Sequence, residues 1–218
     1  MYTDGIIFDV DGTLWDSTDP IAAAWNTSLV EIGHPLRLTG DILKQEFGKP
    51  LEDIILHLLP DMEENKRLAL LQKWYVLEDE ALINDPPAPY AGLEEVLRKL
   101  QPHCPLFIVS NCQAGYIERF LDATGLHNYF TDHTCPGDTG LLKADNIYGI
   151  ARKHGLKHAV YVGDIQADSD AVRKASGCLS AEDPSADIRF IHAAYGFGTV
   201  KEPDLKIQDI RELPDVLL

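Results

Sequence analysis

The stretch GIIFDVDGTL, residues 5–14, decides the fold. Gly5 to Val10 is a short run, nearly all apolar and rich in β-branched residues, the composition of a strand buried on both faces. It ends in a polar cluster of Asp9, Asp11, Gly12 and Thr13. Two further runs have the same character, Pro105 to Val109 and Ala159 to Val162. Between the runs lie Gly92 to Leu100, Ala114 to Thr124 and Ala144 to His154, with apolar residues at helical spacing, as in Leu93, Val96, Leu97 and Leu100. Strand and helix in alternation predict an α/β fold, a Rossmann-like three-layer core around a parallel sheet. A weaker strand is expected through Arg189 to His192 and a closing helix over Glu212 to Leu218.

One segment breaks this rhythm. From Asp16 to Pro86 no strand is evident, and helices are expected over Pro20 to Glu31, Gly40 to Glu46, Leu51 to Leu58 and Met62 to Ile83. The last places Leu68, Leu71, Tyr75 and Leu82 at plausible core spacing. A crossover needs only about a dozen residues, so this excursion reads as an inserted α-helical cap domain. The division is then 1–15 and 87–218 for the α/β core and 16–86 for the cap. The return linker, NDPPAPYAG over residues 84–92, carries three prolines that exclude helix.

The 218 residues carry 35 acidic and 19 basic side chains, a formal net charge of −16. That balance argues against nucleic acid or an anionic membrane as partner. An anionic substrate would need a local positive centre, which a divalent cation supplies. No window approaches the ~18 apolar residues of a membrane span, and the N-terminus lacks the pattern of a signal peptide. Cys104, Cys112, Cys135 and Cys178 show no CxxC pairing or metal spacing. Reduced thiols in a cytoplasmic protein are the expectation.

Each of the three best strands ends in polar residues. The first leads into Asp9 and Asp11, the second into Ser110 and Asn111, the third into Gly163, Asp164 and then Asp168. Ligands of open parallel sheets bind beyond the carboxyl ends of the strands, so the three clusters should converge on one site. Asp9 and Asp11 lie two residues apart, with Gly12 to allow a sharp turn, and two such carboxylates repel unless a cation intervenes. Oxygen-only donors suit Mg²⁺ rather than zinc. Ser110 and Asn111 offer a hydroxyl and an amide to a phosphoryl oxygen, and Lys143 a point charge near a helix start.

These residues carry a family resemblance. DVDGTLWDS, residues 9–17, resembles the first motif of the haloacid dehalogenase-like superfamily, with Ser110-Asn111, Lys143 and GDIQAD, residues 163–168, matching the second, third and fourth in order. The helical insertion resembles the cap of its phosphoglycolate phosphatase-like and phosphomutase-like branch. The resemblance implies that Asp9 is the nucleophile and forms an aspartyl-phosphate, and that Asp11 is the general acid and base. It implies Mg²⁺ on Asp9, the Asp11 carbonyl and Asp164, with Asp168 helping directly or through water. Gly12, Ser110, Asn111 and Lys143 would surround the phosphoryl group. Asp11 favours phosphatase over dehalogenase, because a departing halide needs no proton.

Departures from the family pattern are equally specific. Lys143 is followed by Ala144, Asp145 and Asn146 where many relatives have prolines. Residues 176–187, SGCLSAEDPSAD, read as a variable surface loop rich in turn formers. Phe47-Gly48-Lys49-Pro50 reads as a turn between cap helices that descends over the site, and Lys49 is the best candidate for a cap contact with substrate. Lys44, Lys49 and Lys66 are the lysines that a Schiff-base phosphonate cleavage would require. Cys112, next to Asn111, is either an oxidation-sensitive thiol or a packed one. The expected function is a phosphatase for a small phosphorylated metabolite similar to phosphoglycolate, acting as monomer or homodimer. A phosphomutase of the β-phosphoglucomutase type, an inorganic pyrophosphatase and a non-catalytic phosphate-binding module are the alternatives.

Overall fold

The computed structural model describes residues 2–218. Six parallel strands form one sheet: β1 (Gly5–Phe8), β2 (Leu106–Val109), β3 (Asp132–Thr134), β4 (His158–Gly163), β5 (Asp187–Ala193) and β6 (Leu205–Ile207). Their order is β3-β2-β1-β4-β5-β6. Ile6, Ile7 and Phe8 pair with Leu106, Phe107 and Ile108 on one side and with Val160, Tyr161 and Val162 on the other. Strand order reverses between β1 and β4, the switch point at which such sheets open a crevice.

Both faces of the sheet are covered, which is why the central strands are apolar without alternation. Ile6 and Phe8 face a core completed by Val96 and Leu97 of α5 (Leu93–Leu100) and Ile117 and Phe120 of α6 (Tyr116–Thr124). Ile7 faces the other core, with Ile147 and Ile150 of α8 (Lys143–His154) and Val172 and Ala175 of α9 (Gln166–Glu182). The short α7 (Pro136–Thr139) and α10 (Leu213–Leu217) complete the core helices.

The chain leaves the sheet after Trp15 and returns at Pro89, and these two residues bridge each other. Between them lie α1 (Thr18–Glu31), α2 (Gly40–Lys44), α3 (Leu51–Leu58) and α4 (Glu64–Asn84). Thr39 caps α2 through its side chain, and Asn26 holds the preceding loop by exchanging two 2.8 Å bonds with the Leu38 backbone. The buried face of α4 is Leu70, Leu71, Trp74, Glu78 and Leu82. Leu68, expected in that core, is 52% exposed. Trp74 stacks on Trp25 of α1 at 4.2 Å and donates to the Ser28 hydroxyl.

Three departures from the sequence reading have physical causes. β3 and β6 are three-residue edge strands with polar members, Asp132 and Lys206, and give no apolar run to detect. Residues 176–182 continue α9 rather than forming a loop. The helix ends at Glu182 and residues 183–186 turn into β5, and the turn formers before that end are tolerated because Ala175 and Leu179 anchor the inner face. Val10 lies outside β1, because the chain wraps around its carbonyl, which accepts from Thr13, Leu14 and Trp15.

Trp74→Ala should cost about 3–5 kcal/mol, the range for emptying a large aromatic site. A urea titration followed by circular dichroism should show the midpoint fall.

Candidate active site

β1 delivers Asp9 to the switch point, where its backbone N–H extends the ladder to the Val162 carbonyl at 2.9 Å. The loop then turns through Gly12 at φ +79°, and a Cβ there would lie 2.0 Å from Asp164 Oδ2. Glycine is therefore required for both the turn and the approach to β4. The Gly12 N–H is committed to the Trp15 carbonyl at 2.8 Å, so Gly12 shapes the loop rather than donating to a ligand.

Asp9, Asp164 and Asp168 are all buried, and each offers an oxygen within 4.8 Å of the others. Lys143, the first residue of α8, is buried with them. Its ammonium reaches Asp9 Oδ1 at 2.8 Å and Asp168 Oδ1 at 2.5 Å, over the ring of Tyr161. The Ser110 hydroxyl also bonds to Asp9. Burial opposes the charge on Lys143, but Asp168 and Asp9 hold its pKa well above the ordinary lysine value. Burial raises Asp9 to about 6 against the pull of Lys143, and burial, Asp168 and Asp9 push Asp164 well up. Three carboxylates facing one ammonium leave two negative charges in excess if all are ionised. A hard divalent cation would neutralise that excess, and the oxygen-only donor set fits one.

Asp168 is more fully engaged than the sequence suggested. Its Oδ1 takes Lys143, and its Oδ2 takes the backbone N–H groups of Asp164 and Ile165 at 3.1 and 3.2 Å. It therefore positions Lys143 and the β4–α9 loop, and a role beside a cation through water fits this better than direct ligation. Asp164 keeps Oδ2 on the Phe197 N–H at 2.7 Å.

Asp11 sits apart from this cluster. Trp15 Nε1, the Ser17 hydroxyl and the Tyr116 hydroxyl all donate to its Oδ1, at 3.0, 2.5 and 2.7 Å. An acid proton then belongs on Oδ2. Burial raises the group to about 7 despite these donors. Trp15 and Ser17 lie inside the first motif, yet nothing in the pattern marks them as partners of Asp11. Tyr116 arrives 105 residues later and left no sequence signal.

The 47–50 turn lies against the core, as expected. Gly48 at φ +92° leaves no room for a Cβ, which would come 2.2 Å from Ile165 Cδ1. Its carbonyl accepts from Asn111 Nδ2 at 2.7 Å, so the Asn111 side chain holds the cap turn and only its backbone is left for a phosphoryl oxygen. Lys49 lines the cavity beside Asp11, but its ammonium is tied to Glu46 at 2.7 Å. Lys44 pairs with Asp16 and Lys66 with Glu63. The Cys112 thiol bonds with Cys135, and burial pushes its pKa well up, the behaviour of a packed thiol rather than a reactive one. All four cysteines are free.

The fold that carries this geometry is shared with known proteins. The haloacid dehalogenase-like hydrolase family matches residues 6–178. A phosphoglycolate phosphatase of Photobacterium profundum is 26% identical, over 97% of this chain and 94% of its own. Another, of Aquifex aeolicus, is 28% identical over 78% of this chain and 80% of its own. The crystal structure of a predicted phosphatase from Clostridium acetobutylicum superposes with a TM-score of 0.80 at 20% identity, covering 99% of this chain and 98% of that one. The chain belongs to the haloacid dehalogenase-like hydrolases, and within them it is a phosphatase. No helix among the described residues is long and apolar enough to cross a membrane.

Glu78, on α4, was not singled out by sequence, yet it is buried beside this site and raised to about 8 by burial, against a hydrogen bond from Gln113. An acid whose folded pKa is raised costs stability progressively as pH climbs from its unfolded value, about 4.5, to the folded one. Glu78→Gln removes that slope. The difference in melting temperature, variant minus wild type, should grow in favour of the variant between pH 5 and pH 8 in calorimetry.

Proposed function

We propose that this protein is a Mg²⁺-dependent phosphatase that hydrolyses a small phosphorylated metabolite, of about the size of phosphoglycolate, through an aspartyl-phosphate on Asp9. The observation that carries the reading is the buried bridge of Lys143 between Asp9 and Asp168, with Asp164 beside it. The names of its relatives support the same substrate size. In this reading residues 1–15 and 87–218 are the catalytic core and residues 16–86 the cap.

Asp9 attacks phosphorus with a carboxylate oxygen, and the ester oxygen leaves with a proton from Asp11. Asp11, now ionised, takes a proton from the water that cleaves the aspartyl-phosphate. Lys143 donates to Asp9 and Asp168 and also meets the Tyr161 side chain, and its charge would offset that of the phosphoryl oxygens. Ser110 and the Asn111 N–H would contact the other oxygens. Mg²⁺, held by Asp9, Asp164 and the Asp11 carbonyl, would neutralise the phosphoryl group and keep Asp9 ionised. The Trp15, Ser17 and Tyr116 donors fix the rotamer of Asp11.

Phosphate release from p-nitrophenyl phosphate and from an alkyl ester provides the test. Release should require Mg²⁺, stop with EDTA and fall to background in Asp9→Asn. Asp11→Asn should slow the alkyl ester by about 10²- to 10⁴-fold and the p-nitrophenyl ester less, because its leaving group departs without a proton. Turnover that survives Asp9→Asn would overturn the mechanism.

A further inference from the structure

Beside Asp11 opens a cavity of about 360 Å³, bounded by the cap on one side and by the loop after β2 on the other. This is the space available to whatever alcohol the phosphoryl group is attached to. Trp25, Ile54 and Tyr75 give it an apolar wall. Its lining carries three carboxyl groups, Asp11, Glu52 and Glu78, and a single cation, Lys49.

That cation is already committed. Lys49 is bonded to Glu46 Oε2 at 2.7 Å, and Glu46, whose other oxygen meets His57 Nδ1 at 2.8 Å, is itself buried. In the neighbouring cavity Arg119 is clamped on Asp79, with bonds of 2.5 and 3.3 Å. A substrate carboxylate entering here would exchange its hydration for a wall that carries three carboxyl groups and one cation already paired with a buried glutamate. Glu78 offers no positive charge whether it is neutral or ionised.

The polar groups that remain suit a hydroxyl. Glu78 takes one bond from Gln113 and retains acceptor capacity. A hydroxyl can donate to Glu78 in either of its protonation states, which a carboxylate cannot do.

We propose that the cavity selects phosphate esters whose alcohol half is uncharged and bears hydroxyl groups, and discriminates against esters that carry a carboxylate. The inference rests on the phosphatase reading. It separates this chain's preference from the substrate in its relatives' names. The Lys49–Glu46 pair and Glu78 are the specificity determinants.

Two esters of equal size test it, 2-hydroxyethyl phosphate and 2-phosphoglycolate, compared by kcat/KM with Mg²⁺ present. Wild type should prefer the neutral ester by about tenfold or more. Glu46→Gln frees Lys49 and should narrow the ratio by raising turnover of phosphoglycolate. Glu78→Leu should narrow it from the other side, by raising KM for the hydroxyethyl ester. A wild type that handles phosphoglycolate as well or better, or ratios unmoved in both variants, would overturn the inference while leaving the phosphatase reading in place. Absence of Asp9-dependent turnover for both esters and for p-nitrophenyl phosphate would overturn the two together.

Discussion

Lys143 holds its ammonium between Asp9 and Asp168, all three side chains buried. A buried cation is tolerable only when matched, and buried carboxylates only when neutralised. The three side chains come from β1, the start of α8 and the first turn of α9, so this one charge contact requires both halves of the sheet to be in register. The second oxygen of Asp168 caps the β4–α9 loop, and the backbone of that loop places Asp164. Neutralisation is incomplete if all three acids are ionised, and that remaining negative charge supports the proposal that a divalent cation binds here.

The cap is coupled to this cluster by close backbone approach rather than by charge. Asn111 reaches up to the Gly48 carbonyl, and Ile165 fills the space that any side chain at Gly48 would need. Phe47 meets Phe197 edge-on at 6.4 Å, and the Phe197 N–H holds Asp164. The turn that shapes the substrate cavity therefore touches residues adjacent to the acids in both the second and fourth polar clusters. A shift of the cap would be felt at Asn111 and Ile165 before it reached Asp9.

Two carboxyl groups flank the reacting centre with different neighbours. Asp9 faces a lysine, as its proposed role of ionised nucleophile requires. Asp11 faces only neutral donors, the indole of Trp15 and the hydroxyls of Ser17 and Tyr116, and burial carries it to about 7. Burial raises both acids, but only Asp9 has a cation beside it to favour its ionised form, a difference that supports giving attack to Asp9 and proton transfer to Asp11 in the proposed mechanism.

The sequence by itself determined the parallel sheet, the helical excursion and the convergence of Asp9, Ser110, Lys143, Asp164 and Asp168. Strands buried on both faces must be apolar, and their polar termini stand out against that background. It did not reveal β3 or β6, whose edge positions impose no apolar pattern, nor the helical course of residues 176–182, which is settled by packing along one face. Tertiary structure alone decided that Lys49 belongs to Glu46, that the Asn111 side chain serves the cap, and that Glu78 and Tyr116 stand beside Asp11. Each of these depends on which side chains meet across tens of residues. Asp9 lies where its strand end suggested, and the tertiary contacts place Lys143, Asp164 and Asp168 beside it.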